Sequence, residues 1–353
     1  MGSVKDLEIM KPPTKGDMGV ARFHFSDRYS VFDWGEMPDL IENKGEALCM
    51  MGAYCFEELE KRGIKTHYKG LVSPNGKLVT TMELEEPISV MEISLVRVFK
   101  PEFHGGAYNY DIFAKLAEND EGNFLLPLEV IYRNALPPGS SIFRRLKKGE
   151  ITYQDLGLDY YPKPEEKLKT PIFEVSTKLE ERDRYITWSE AQRMSGMRDD
   201  EIAEAKEILL HADNLITEIA AKADLKNEDG KIELALDPDR RLMVVDVIGT
   251  LDECRFTYKG LHVSKEIARQ FYKNTKWSQD VEEAKREADA KGLKDWKGLC
   301  RSQPPKLDPG LREIVGRMYM AAANEFTGLN LFDVHDLGEV VEEYESYLKK
   351  ING

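Results

Sequence analysis

The sequence predicts an α+β protein in which strands come first and helices last. Three observations carry this. The first hundred residues hold short extended runs broken by turn signals, among them Asn75-Gly76, a strong hairpin dipeptide. Residues 198–223 read as the most regular helix, with Ile202, Ala205, Leu209, Ala212, Leu215 and Ile219 on one face. Residues 264–353 read as mostly helical, with a break at Pro304-Pro305. Strands and helices that follow in blocks, rather than alternating, argue against a doubly wound parallel sheet.

The elements follow in order. "VARFHFSD" (20–27) alternates apolar and polar, as a half-buried strand does. Residues 44–63 form a helix, because Leu48, Met51, Cys55 and Leu59 recur at three-to-four spacing and Gly63 ends the run. "SPNGKLVTTMEL" (73–84) is a hairpin, and "ISVMEISLVRVF" (88–99) is a long extended run. The span 100–125 is read as an insertion with one short helix, "YDIFAKLAEN". "LPLEVIYRNALPPGSSIFRRL" (126–146) starts as a buried strand and ends as a basic segment beyond a Gly-Ser loop. Residues 153–171, with three prolines, are expected to be an irregular linker. Residues 231–237 and 241–249 make a second hairpin around Pro238-Asp239. The expected division is a β-rich unit over 1–98, a central α+β unit over 99–263, and a helical segment over 264–353 packed on it.

Composition narrows the function. A chain of 353 residues, 41% hydrophobic and 32% charged, folds rather than staying disordered. A net charge of −14 without a long basic block argues against a nucleic-acid partner. No apolar run approaches the roughly 20 residues of a membrane helix, and the first residues lack a signal-peptide core. Cys49, Cys55, Cys254 and Cys300 are scattered, as expected of reduced thiols in a cytoplasmic protein. Six histidines and no His/Cys cluster do not suit a zinc site.

Four stretches carry candidate chemistry. In "FSDRYSVFDWGEMPDLIENKG" (25–45), Asp27 and Asp33 flank a turn, and Lys44-Gly45 opens a helix whose free N–H groups suit an anion. A surface turn with solvated acids is the competing reading. Arg133, at the end of a strand, and Ser140, on the Gly-Ser loop, offer a planar fork and a hydroxyl to a carboxylate or phosphate. An edge arginine paired with Glu129 is the alternative. Glu233 and Asp246 lie on paired strands, with Lys231 on the face of Glu233. Asp246 closes an apolar run, where a carboxylate needs a partner, and two such acids suit Mg²⁺. "TKLEERDRY" (177–185) concentrates Lys178, Arg182 and Asp183, a pattern that is usually solvated surface.

Taken together and in order, these stretches resemble the SAICAR synthetase (phosphoribosylaminoimidazole-succinocarboxamide synthase) family of purine biosynthesis. "GSVKDLEI", "SDRYSVFDWGEMPDLIENKG", "RGIKTHY", "LPLEVIYRNALPPGSS", "TPIFEVSTKLEERD", "KIEL" and "VVDVIGTLDECRF" match family segments, the fourth most specifically. The resemblance implies a small antiparallel β domain over a larger α+β domain, with ATP between them and C-terminal helices. It implies a ligase that joins L-aspartate to carboxylated aminoimidazole ribotide (CAIR), through an acyl phosphate, with ADP and phosphate released. By the same resemblance Lys5, Lys178 and Lys231 lie near the nucleotide and its phosphates, and Glu233 and Asp246 bind Mg²⁺. Arg133, Ser140 and Arg255 hold the ribotide phosphate and its neighbours, and Lys44 belongs to the same substrate side. Asp33 and Asp183 surround the imidazole end, so Asp33, Lys178, Asp183 and Lys231 form the catalytic set. A homo-oligomer is expected.

The sequence departs from the family pattern at several points. Ser3 replaces a lysine, Val247 replaces a common glutamate, and "GTLDEC" replaces a hydroxyl-bearing loop. Lengthened segments are expected at 100–125 and roughly 278–300. The alternatives are a same-fold ligase with another carboxylate or amine, a related small-molecule kinase, and a non-catalytic nucleotide binder. Intact Glu233 and Asp246 argue against the last.

Overall fold

The computed structural model describes residues 4–104, 107–181, 183–263 and 265–352. The N-terminal part contains β1 (Lys5–Lys11), β2 (Gly19–Phe25), α1 (Lys44–Lys61), β3 (Tyr68–Val72), β4 (Leu78–Val79) and β5 (Val90–Leu95). The strands form an antiparallel sheet in the order β1-β2-β5-β3-β4. α1 buries Leu48, Met51, Cys55 and Leu59, the face its spacing predicts. Asn75-Gly76 does close the β3–β4 hairpin, with Gly76 at φ 80°, but β3 precedes the predicted run 73–84 and β4 fills only two residues of it. Residues 81–83 coil into a single 3₁₀ turn because Glu83 accepts from both the backbone N–H and the hydroxyl of Thr80.

The segment read as an insertion holds a small hairpin, β6 (Glu102–His104) and β7 (Ala107–Asn109), and the predicted helix α2 (Asp111–Glu118). Then come β8 (Phe124–Ala135) and α3 (Ser141–Lys148). The basic segment is thus a helix, and Ser140 is its N-cap, its Oγ accepting from Ile142 N at 3.4 Å. β9 (Lys167–Thr177) starts inside the expected linker, since Pro171 sits in a strand whose pairing with β8 tolerates a missing donor. β10 (Tyr185–Ile186), α4 (Trp188–Ser195), α5 (Asp199–Lys222), β11 (Leu225–Leu236), β12 (Leu242–Val245), β13 (Cys254–Tyr258) and β14 (Leu261–His262) follow. The tail is α6 (Glu266–Lys273), α7 (Lys276–Lys291), α8 (Pro309–Thr327) and α9 (Leu337–Asn352).

The second sheet runs β10-β9-β8-β11-β13-β14, with β12 also beside β11. β11 keeps β8 on one flank and changes partner on the other, from β13 at its start to β12 at its end. The connection 246–253 therefore leaves the sheet at mid-strand. Period-two alternation divides the sheet. Leu128, Val130, Tyr132, Ile232, Leu234 and Phe256 join the main apolar cluster with α5 and α8. The opposite face carries Glu129 and Arg133 of β8 and Asp229, Lys231 and Glu233 of β11.

The two sheets meet at a parallel bridge between Thr66 and Val244. His67 N donates to Val244 O (3.0 Å), and His67 Nε2 donates to the Asp246 carbonyl (3.2 Å). The ring lies between Phe23 and Phe56. Burial lowers His67 to about 4, against the pull of Asp246. The folded protein thus binds its proton less readily than the unfolded chain, so stability falls as pH drops from about 6.5 towards 4. Between pH 7 and pH 5 this residue is expected to remove about 2 kcal/mol. Unfolding curves of the wild type and His67→Asn at the two pH values measure it, and the variant should show the shallower pH dependence.

Candidate active site

The charged face is built by alternation on three neighbouring strands. β8 offers Glu129, Ile131 and Arg133, β9 offers Glu174 and Ser176 with Lys178 just beyond, and β11 offers Asp229, Lys231 and Glu233. Asp229 faces Arg133 across the strands, a favourable pair, but Glu233 faces Glu129. Two lysines resolve that clash. Lys231 Nζ lies 2.6 Å from Glu129 and 3.3 Å from Glu253, while Lys178 pairs with Glu233 and sits 3.4 Å from Glu129. Burial works to raise Glu129, but Lys231 and Lys178 outweigh it and hold it low. Burial and the adjacent Asp246 raise Glu233 to about 7, against both lysines.

A cavity of about 690 Å³ lies between this face and the N-terminal sheet. Lys5, Leu7 and Phe23 form its wall on one side, and Leu125, Lys178, Lys231, Glu233 and Asp246 on the other. Lys5 pairs with Asp246 at 2.7 Å. Asp246 has φ 67°, and the hydrogen bond from His67 to its carbonyl helps hold that turn. Desolvation would raise Asp246, but Lys5 and Lys178 keep it far below the usual carboxylate range. Lys5, Lys178, Lys231, Glu233 and Asp246 are thus brought together as expected from sequence.

A second, smaller cavity of about 340 Å³ shares Asp33, Lys231, Asp252, Glu253, Lys265 and Arg269 with the first. Arg133, Asp183, Asp229 and Arg255 also line it. Arg133 is not the open fork that its sequence position predicts. It is 2% exposed and donates to Glu174 (2.6 Å), Asp229 (3.0 Å) and the Tyr185 hydroxyl (3.0 Å). Its partners are these, not Glu129. Arg255 grips the same Asp229 from the open side, at 2.9 and 2.8 Å. Arg145 of α3 pairs with Glu174 and lies over the Tyr185 ring. Three arginines therefore meet two carboxylates. Asp183 stands at the mouth, where desolvation and then Glu129 raise it to about 6.

Other expected residues sit differently. Lys44 is fully buried and pairs with Asp252 at 2.7 Å, and Tyr319 donates to the same carboxylate. The N-terminus of α1 is met by Asp27, which accepts from Gly45 N at 3.0 Å, so that anion position is filled from within the chain. Ser140 is spent on capping α3 and lines neither cavity. Asp33 lines both cavities and pairs with Lys285 of α7 at 2.6 Å. Arg182 lies outside the described residues. Sequence reading missed Glu174, Asp229, Lys265 and Arg269. The i, i+2 charge pattern of "NEDGKIE" was the available signal for Asp229. Lys265 and Arg269, one turn apart, reach the site only through the placement of α6. Burial lowers the pKa of Lys265, with Arg269 adding to the effect and Glu253 opposing it.

A cleft between two antiparallel sheets, with lysines and carboxylates interleaved, offers cations to phosphates and acids to a divalent ion. A profile of the SAICAR synthetase family matches residues 13–99 and 114–288. A protein of Archaeoglobus fulgidus, provisionally named phosphoribosylaminoimidazole-succinocarboxamide synthase, is 48% identical over 99% of this chain and 100% of its own length. The phosphoribosylaminoimidazole-succinocarboxamide synthase of Thermoplasma acidophilum is 32% identical over 93% of this chain and 97% of its own. Among solved structures, the SAICAR synthase of Saccharomyces cerevisiae complexed with SAICAR has the same fold, with a TM-score of 0.59 and 20% identity over 94% of this chain and 95% of that one. So does a SAICAR synthetase in complex with ADP, with a TM-score of 0.53 and 22% identity over 87% of this chain and 99% of that one. The chain belongs to the SAICAR synthetase family, the ATP-dependent ligases of this step in purine biosynthesis. The profile skips 100–113, part of the span read as an insertion, but runs to 288, into the second such span. Among the described residues no helix is long and apolar enough to cross a membrane.

The burial of Arg133 predicts a stability effect that a simple substrate clamp would not have. Arg133→Met leaves Glu174 with Arg145 alone and Asp229 with Arg255 alone, and is expected to cost about 1–3 kcal/mol in denaturant unfolding. Arg133→Lys keeps the charge but not the fork, so it should fall between the two. An unchanged midpoint in Arg133→Met would show that the lattice is not structural.

Proposed function

We propose that ATP occupies the larger cavity and CAIR the smaller, with L-aspartate entering where the two join. The observation that carries this reading is the lattice of Lys178–Glu233 and Lys231–Glu129 pairs on the second sheet, joined to the N-terminal sheet by the Lys5–Asp246 pair. Leu7 and Phe23 supply an apolar wall for a base, and the three lysines supply cations for phosphates. On this reading 1–98 and 99–263 act as two lobes around the nucleotide, and 264–353 closes the rim with α6 and α7. Glu233 and Asp246 would hold Mg²⁺. Among the described residues no trio of His, Cys, Asp or Glu is arranged for a metal, and two carboxylates completed by phosphate oxygens suit this ion. Bound there, the ion would offset phosphate charge during transfer.

The protein's own groups then have distinct tasks. Lys178 and Lys231 orient the transferring phosphoryl group towards the CAIR carboxylate, which becomes an acyl phosphate. The amine of L-aspartate attacks its carbonyl carbon, phosphate leaves, and the amide forms. Asp183, raised to about 6, is suited to take the proton the amine gives up. Arg255 faces the ribotide phosphate, and Arg133 holds Asp229 and hence Arg255 in place. Lys265 and Arg269 offer cations to the carboxylates of the acceptor.

Purified protein with CAIR, ATP, Mg²⁺ and L-aspartate should yield the succinyl amide by mass spectrometry. Glu233→Gln with Asp246→Asn should abolish ADP release while leaving the melting curve cooperative. Full turnover in that double variant would remove the metal assignment. Arg255→Ala should weaken CAIR binding in calorimetry by about 2–5 kcal/mol, with ATP affinity kept. Unchanged CAIR affinity would misplace the ribotide.

A further inference from the structure

Asp33 belongs to a loop with an unusual backbone. Phe32 and Asp33 are consecutive residues in the left-handed region, at φ 57° and 62°, and Gly35 follows at 98°. A bulky residue pays a steric penalty there, so the surroundings must enforce the conformation. They do so from α7 and the segment after it. Phe32 packs on Trp277, with ring centroids 5.8 Å apart, and Trp34 packs on Trp277 and Trp296 at 5.5 and 5.9 Å. The ammonium of Lys285 donates to the Phe32 carbonyl (2.9 Å) and to Asp33 Oδ2 (2.6 Å), and it lies 4.8 Å from the centre of the Trp296 ring. One cation thus ties the backbone of one strained residue to the side chain of the next.

We propose that Lys285 is a positioning residue for the reaction: it fixes the Asp33 carboxylate at the wall shared by the two cavities. The placement of the pair supports this. Asp33 is 69% exposed at its side chain and lines both cavities, whereas Lys285 is 23% exposed and lines the larger. A carboxylate on an open loop has many rotamers, and a second-residue tether removes them before substrate arrives. Asp33 also lies close enough to Asp183 to raise it, so its position bears on the acid proposed to take the amine's proton. The tether comes from a helix that the family match enters but does not span, and Trp296 lies beyond the match altogether. The inference rests on the reading of Asp33 as a substrate-side acid.

The test is a double-variant cycle of Lys285→Met, Asp33→Asn and both together, read as kcat and as KM for CAIR, with melting curves alongside. Lys285→Met is expected to lower kcat/KM for CAIR by roughly tenfold to a hundredfold, the scale of a misplaced group. Lys285→Arg should restore part of it. The double variant should be no worse than Asp33→Asn alone, because the lysine acts through that carboxylate. Losses that multiply, or a Lys285→Met loss matched by a collapse of the melting temperature in both lysine variants, would overturn the proposal. If Asp33→Asn itself turns over normally, the reading of Asp33 fails and the tether with it. If Asp33→Asn is impaired and Lys285→Met is not, only the tether fails.

Discussion

The site is organised by one electrostatic conflict. Glu129 and Glu233 stand opposite each other on adjacent strands in the middle of a sheet, both nearly buried. Like charges so placed repel, and neither can reach bulk water. Lysines from two directions relieve the conflict, Lys231 from the same strand as Glu233 and Lys178 from the end of β9. Those lysines need further acids: Lys231 reaches Glu253, and Lys178 lowers the pKa of Asp246. Asp246 in turn takes Lys5 from the other sheet. The chain of pairs crosses the cleft, so the charge pattern of one sheet dictates residues on the other.

Such a lattice is suited to exchange. Lys5, Lys178 and Lys231 each already have a carboxylate, and Glu129, Glu233 and Asp246 each already have a lysine. On the proposed reading, a polyphosphate entering with its counter-ion gives oxygens to the lysines and positive charge to the acids. No buried group is left alone at any point, which avoids the several kcal/mol that an unpaired buried ion costs. The apolar wall of Leu7 and Phe23 takes no part in this exchange, so it can bind a base regardless of the charge state.

Much of this was legible in the sequence, and the exceptions have physical causes. α1, α5 and the β11–β12 hairpin announce themselves because their apolar faces are periodic. Glu233, Asp246, Lys178 and Lys231 are close in space because β8, β9 and β11 pair in register. β9 was hidden by its proline, and α3 by its charge, since "SIFRRLKK" buries little besides Ile142 and Arg145. Arg133 lines the smaller cavity but lacks the freedom that its sequence position suggests. Its two buried partners come from strands 41 and 96 residues away, and nothing local to Arg133 reveals them. Lys44 and Ser140 present the opposite case, being held by Asp252 and by the start of α3. Their local setting, at the start of a helix, is shared by ligand-binding and purely structural residues.

The loop 249–254 shows why counting charges along a chain is a poor guide to a binding site. Its two acids, Asp252 and Glu253, both line the cavities. In isolation they would repel a dicarboxylate. The fold disposes of them separately. Asp252 is taken by Lys44 and Tyr319; burial would raise it, but Lys44 holds it ionised and paired. Glu253 is taken by Lys231. Lys265, whose pKa is lowered by burial and by Arg269 against the pull of Glu253, lines both cavities, and an incoming carboxylate would favour its charged form. The loop reads as negative in sequence, yet both its acids are paired within the protein, and what a ligand meets is the charge that remains after those pairs have formed.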